Sequence, residues 1–167
     1  MIHPGHLLFQ VINPVLRSMD AWDTRAERLV LGTAVQESEC GYYLHQLGDG
    51  PALGIYQMEP ATHDDCWKNY LQYQPKLAAK VKGWTKVAWA GLNPGVVPDA
   101  KEMLWNLAYA TAMCRVKYLR VAEEIPDTLP EQAAYYKKYY NTPQGAGTET
   151  EYIHAWQRIV GSTISDV

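Results

Sequence analysis

A chain of 167 residues, 47% apolar and 20% charged, fits one domain and is long enough to bury a core. Its formal charge of −3 provides no basic stripe for a phosphate backbone, which argues against a nucleic-acid partner. No apolar run approaches the ~18 residues that span a bilayer, and MIHPGHLLFQVINP lacks both a basic n-region and a long h-region. Neither membrane insertion nor a signal peptide is expected, and synthesis should end with a soluble cytoplasmic protein. Cys40, Cys66 and Cys114 are odd in number, widely spaced and without a C-x-x-C pair, so they read as buried free thiols. Tyr (12) and Trp (6) far outnumber Phe (1), so nearly every ring carries a polar handle. Such rings suit a wet groove, although they also suit the periphery of a core.

In chain order, a first helix is expected from Pro4 to about Met19, with Leu7, Leu8, Val11, Ile12, Val15 and Leu16 at helical spacing and a kink or split at Pro14. Thr24-Arg25-Ala26-Glu27 fits a capping box, and a helix should run from there to about Cys40, stopped by Gly41. Its buried stripe is Ala26, Leu29, Val30, Thr33 and Ala34, and Glu37 falls on that same stripe. From Gly41 to Glu59, four glycines and Pro51 rule out a helix and predict a short hairpin or an ordered loop. Helices follow over Pro60 to about Gln72 and Pro75 to Lys82, then an irregular stretch from Gly83 to Val97 holding Trp84 and Trp89. The longest helix is expected from Pro98 to about Glu123. It is apolar or small on nearly every face between Leu104 and Cys114, the pattern of a buried central helix. Pro130 to Tyr140 forms another helix, Gln144 to Gly147 a flexible turn, and Thr148-Glu149-Thr150-Glu151 a second capping box before a last helix ending at Gly161. The fold class is one mainly α domain.

A carboxylate at the end of an apolar stripe calls for a reason. Loss of solvent penalises its ionised form, and so does the negative end of its own helix. Both push the pKa of Glu37 upward, the direction a general acid needs near neutral pH. The bland alternative is a helix-end Glu that swings into solvent or pairs with an Arg. The strip Gly54-Ile55-Tyr56-Gln57-Met58-Glu59, apolar and amide-bearing, is the expected opposite side of a sugar-binding cleft.

Glu37-Ser38 at a helix end, Gly54-Ile55-Tyr56-Gln57 some twenty residues on, and Tyr140-Asn141 far downstream together resemble the lytic transglycosylases. That family shows Glu-Ser, then Gly-Leu-Met-Gln or a close variant, then Ala-Tyr-Asn, on a lysozyme-like helical fold; goose-type lysozymes share much of the pattern. The resemblance covers Thr24 to about Asn141, with an intermediate match at Asn106 to Leu119. It implies a lysozyme-like domain in which Glu37 is the acid/base and Ser38 orients the donor or the sugar. It implies that Gly54 admits the ligand close to the backbone and that Tyr56, Gln57 and Met58 line the groove. Tyr140 would hold Glu37 or an N-acetyl group, and Asn141 would support the loop. Departures are Tyr56 for the usual Met, Tyr139 for the usual Ala, and a blurred Asn-x-Gly after Asn141.

The resemblance implies cleavage of the β-1,4 bond between N-acetylmuramic acid and N-acetylglucosamine, with 1,6-anhydro products and without metal or cofactor. A hydrolytic muramidase is the alternative, and it needs a second carboxylate, for which Asp49 and Glu59 are the candidates. Asp49 also suits the Gly-Asp-Gly turn and Glu59 a helix cap. Thr62-His63-Asp64-Asp65 invites a metal reading, but helical spacing splits those ligands over different faces. Lys137 and Lys138 suit either glycan carboxylates or a solvated face. With no export signal or wall-binding module, the chain looks like a bacteriophage enzyme, either an endolysin passing a holin pore or a monomeric virion component. A reading of another class is a virion or secretion-system structural part that grips glycan without cutting it.

Overall fold

The computed structural model describes residues 1–86, 96–141 and 145–161. These residues are mainly helical, and no strand forms among them. Helix α1 (Pro4–Leu7) passes through a π turn (Leu8–Ile12) into α2 (Asn13–Ser18). Asn13 N–H reaches back five residues to the Leu8 carbonyl, and this widened turn accommodates the Pro14 ring without breaking the rod. Ile2 N–H donates to the Cys40 carbonyl at 2.8 Å, tying the start of the chain to the end of the next helix.

Helix α3 (Thr24–Ser38) buries Leu29, Val30, Leu31, Thr33, Ala34 and Val35. Its cap is Asp23, which accepts from Ala26 N–H at 2.8 Å; the expected Thr24–Glu27 box does not form. Glu27 instead accepts from Trp22 Nε1 at 2.6 Å and Asn13 Nδ2 at 2.7 Å, bracing α2 against α3. The stop also comes before Gly41. Glu39 takes the left-handed conformation (φ 49°), Glu39 N–H bonds the Val35 carbonyl, and Cys40 N–H bonds the Ala34 carbonyl, a Schellman closure.

The segment from residue 40 to 59 is an ordered loop, with single antiparallel bridges His45 to Leu53 and Leu53 to Met58 in place of hairpin strands. Helix α4 (Pro60–Asn69) gives way to a 3₁₀ turn (Leu71–Tyr73), and α5 (Pro75–Lys82) follows. Most of the expected irregular stretch, Trp89 included, lies outside the described residues; Trp84 Nε1 donates to Ser18 Oγ at 3.0 Å.

The central helix is shorter than expected. A 3₁₀ turn (Ala100–Leu104) comes first, then Asn106 accepts from Tyr109 N–H at 3.0 Å and caps α6 (Leu107–Leu119). α6 is nonetheless the buried axis, with Tyr109, Ala112, Met113, Cys114 and Val116 wholly enclosed and α2, α3, α4 and α5 packed around it. Helix α7 (Leu129–Tyr136) opens on a Thr128/Glu131 capping box and ends in a π turn (Lys137–Asn141). Of the turn expected at Gln144 to Gly147, Gln144 lies outside the described residues, as do Thr142 and Pro143. Helix α8 (Glu149–Ile159) carries the expected Thr148/Glu151 box and packs on α3 and α7 through Tyr152 and Trp156. All three cysteines are buried free thiols. No helix among the described residues is long and apolar enough to cross a membrane.

Candidate active site

Glu37 sits in the last turn of α3, half-buried, on the lining of a cleft of about 580 Å³. The 40–59 loop forms one side of this cleft through Tyr43, Gln46, Gln57 and Met58. The other side comes from Tyr136, Tyr140, Asn141 and residues 145–147, with Lys117 of α6 between them. Tyr136 O–H donates to Glu37 Oε1 at 2.6 Å. No hydrogen bond to Oε2 is made among the described residues. Burial raises the Glu37 pKa from the ordinary 4.5 to about 7, against the lowering effect of the Tyr136 hydrogen bond and the Lys117 charge. A carboxyl in this state is divided between its protonated and ionised forms near neutral pH and has one oxygen oriented by a phenol. It can donate that proton and later recover one.

Comparison with protein-family models, curated proteins and solved structures finds no match to this chain.

Of the residues singled out in the sequence, Glu37, Gln57, Met58, Glu59, Tyr140 and Asn141 meet in this cleft. Ser38, Gly54 and Tyr56 do not line it. Ser38 is buried: its hydroxyl donates to the Ile55 carbonyl at 2.6 Å and accepts from Gly41 N–H at 2.8 Å. It clamps the end of α3 to the strip opposite, so the expected sugar contact is corrected to a structural one. Gly54 has φ +71°, and a Cβ there would stand 2.2 Å from the Met103 carbonyl oxygen, so its small size admits backbone rather than ligand. Tyr56 is buried with its hydroxyl 2.9 Å from Thr111 Oγ1, a core residue and not a groove lining. Gln57 (φ 44°) donates from Nε2 to the Gly54 carbonyl at 2.8 Å, which leaves its amide oxygen for the cleft. Glu59 is exposed and occupies the N-cap position of α4 without a side-chain cap bond. Asp49 (φ 61°) is exposed in the Gly-Asp-Gly turn and does not line the cleft.

The residue that holds Glu37 is Tyr136, not Tyr140. Tyr140 O–H donates to the Tyr56 carbonyl at 2.9 Å, and its ring stacks on that of Tyr136 (centroids 6.0 Å apart, 18° between planes). The signal lay in the spacing: Tyr136 and Tyr140 are four residues apart and share one helical face. The π turn that follows Tyr136 carries Tyr140 and Asn141 to the same cleft. Asn141 accepts from Lys137 Nζ at 2.9 Å, and Lys137 also donates to the Gly145 carbonyl at 2.7 Å, so this pair holds the 145–147 segment. Lys138 pairs with Glu123 at 2.9 Å on the surface.

Lys117 is the second residue that the sequence patterns did not single out. It sits on a mostly apolar helix and has no motif of its own. His63 is wholly enclosed, with Nε2 2.5 Å from Tyr109 Oη and Nδ1 2.8 Å from Asp64 Oδ1. Among the described residues no group of three His, Cys, Asp or Glu side chains is placed to hold a metal ion. A larger groove of about 770 Å³ runs between α3 and α8 past Val35, Glu39, His154 and Arg158, and Glu37 does not line it.

The Tyr136 hydroxyl stabilises the ionised form of Glu37 by donating to it. Tyr136→Phe is therefore expected to raise the pH at which Glu37 ionises, followed by ¹³C NMR of the labelled carboxyl. A midpoint that stays put or falls would show that the phenol does not govern this acid.

Proposed function

We propose that the chain is a peptidoglycan-cleaving glycosidase of the lytic-transglycosylase kind on a lysozyme-like helical frame. It would cut the β-1,4 bond between N-acetylmuramic acid and N-acetylglucosamine, with Glu37 as the single acid/base. The observation that carries this reading is a carboxyl protonated up to about pH 7, lining an open cleft and oriented by Tyr136. The composition of the cleft is of a piece with an amino-sugar ligand. Gln57 offers an amide for hydrogen bonding, Tyr43 offers a ring face, and the volume of about 580 Å³ suits a short oligosaccharide segment.

In this proposal Glu37 passes its proton to the glycosidic oxygen as the C1–O bond breaks. The electron pair goes to the leaving sugar, and the carbonyl oxygen of the muramoyl N-acetyl group closes on C1. Glu37, now a carboxylate, takes the proton of the 6-hydroxyl. That oxygen then attacks C1 and displaces the acetamido oxygen, leaving a 1,6-anhydro ring with no water consumed. Tyr136 keeps Oε1 fixed through both transfers.

Glu59 favours one further reading. It is an exposed carboxylate on the same cleft, where it is open to water that a hydrolytic muramidase would activate. Asp49 lacks that placement. Mass spectrometry of fragments released from purified sacculi separates the two, because the anhydro product is one water lighter than the hydrolytic one. The lighter mass is expected. The heavier mass would replace the lyase with a muramidase. Binding without release would leave only the glycan-gripping virion or secretion-system component. In the two cleaving readings the setting we propose is a phage lysis or entry protein acting on the cell wall.

A further inference from the structure

Lys117 occupies a position unusual for a lysine. It projects, half-buried, from the mostly apolar central helix α6 to line the cleft that holds Glu37 and Glu59. Its stem can lie along apolar surface, while its head group lacks full hydration, and burial lowers its pKa. One residue fixes it at two points: Nζ donates to the Tyr140 carbonyl at 2.7 Å and stands 3.8 Å from the centroid of the Tyr140 ring. That ring stacks on Tyr136, whose hydroxyl holds Glu37 Oε1. The ammonium and the carboxyl are thus seated on the same pair of stacked tyrosines.

We infer that Lys117 is the positioning cation of Glu37, a fixed counter-charge for the carboxylate that remains each time the acid gives up its proton. The assignment of Glu37 as an acid rests on the proposed function; the charge relation between the two side chains does not.

The other groups facing Lys117 do not compete for this role. Cys114 on its own helix and Cys66 on α4 are thiols that burial pushes upward, so both are neutral near pH 7. Tyr140 and Tyr136 are likewise raised by burial and stay protonated. Glu59 is exposed, and water screens its charge. Glu37 is the enclosed partner. The coupling is reciprocal, since the ammonium favours the Glu37 carboxylate while that carboxylate favours the ammonium, whose own pKa burial depresses. The consequence is a balance. Burial raises the pKa of Glu37, and the Tyr136 hydrogen bond and then the nearby cation offset part of that rise.

The test compares the ¹³C titration of the Glu37 carboxyl in the wild type, Lys117→Met and Lys117→Arg. Methionine keeps the stem without the charge, and arginine restores the charge. The expected result is a midpoint moved upward in Lys117→Met and brought back toward the wild type in Lys117→Arg, with unchanged circular dichroism in both. A Lys117→Met midpoint that is unmoved or lower overturns the inference, and so does an Arg variant that titrates like Met. If the Met variant does not fold, Lys117→Gln and Lys117→Arg carry the same comparison. The readout needs no turnover. Failure of the wild type to cut sacculi would therefore count against the glycosidase reading and leave this inference to be judged by its own titration.

Discussion

Glu37→Gln is expected to lower glycan turnover by on the order of 10²- to 10⁴-fold, the contribution of a positioned general acid. The fold should remain intact. Glutamine has the same shape, and its amide oxygen can still accept from Tyr136, so the α3 end and the π turn keep their contact. The same substitution carries a pH signature in stability. In the folded protein Glu37 keeps its proton to about pH 7, whereas the unfolded chain releases it near 4.5. The folded state therefore binds more protons over that interval, and its stability falls as pH rises through it. The wild-type contribution is complete below pH 4.5 and gone above about 7. That interval corresponds to about 3 kcal/mol at 25 °C. Glutamine has no proton to lose. The variant should match the wild type at pH 4 and exceed it by up to about 3 kcal/mol at pH 8 in denaturant titrations. A gap of the same size at both pH values would mean that Glu37 ionises as an ordinary surface carboxylate.

Gly54→Ala should destabilise the loop that carries Gln57 and Met58 by roughly 3 kcal/mol or more. Two penalties combine there. The φ of +71° disfavours any Cβ, and that Cβ would lie 2.2 Å from the Met103 carbonyl oxygen. The Met103 carbonyl is backbone and the position of a Cβ is fixed by its own backbone, so no rotamer change relieves the overlap. The loop itself has to move, and Gln57 and Met58 go with it. Gly48 is the control. Its φ is +77° but nothing lies within 4 Å of its Cβ, so Gly48→Ala should cost only the conformational penalty of about 1–2 kcal/mol. Thermal melts of the two variants test this directly. Equal losses would show that the contact with Met103 is not what requires glycine.

Much of this architecture can be read along the chain because the helices announce themselves locally. The Thr148/Glu151 box, the buried stripe of α3 and the apolar centre of α6 each depend on residues within a few turns of one another. The misread boundaries arise where a neighbouring side chain outcompetes the expected one. Asp23 caps α3 in place of Thr24 because Glu27, the other half of the expected box, is engaged by Trp22 and Asn13. Asn106 caps α6 and cuts short a helix that the apolar pattern alone would carry back to Pro98.

The site shows the same division. Glu37 was legible because a carboxylate on a buried stripe is conspicuous. Ser38, Gly54 and Tyr56 stand beside it in the motif, yet they face inward, because the loop that carries the Gln57–Met58 wall is anchored to α3 through Ser38 and to α6 through Tyr56 and Thr111, with Gly54 close against the Met103 carbonyl. Lys117 was not legible, and for Tyr136 only its four-residue spacing from Tyr140 was. Their importance depends on which helix faces meet, information that exists only once α3, α6 and α7 have packed.

The measurement closest to the central claim is the pH dependence of kcat/KM for glycan cleavage by the wild-type protein. If a protonated Glu37 begins the reaction, the rate is level in the acid range and falls tenfold per pH unit above about 7, as the carboxyl ionises. A rate that holds level or keeps climbing through pH 9 would contradict the account, because the group that starts the reaction would then not be this carboxyl.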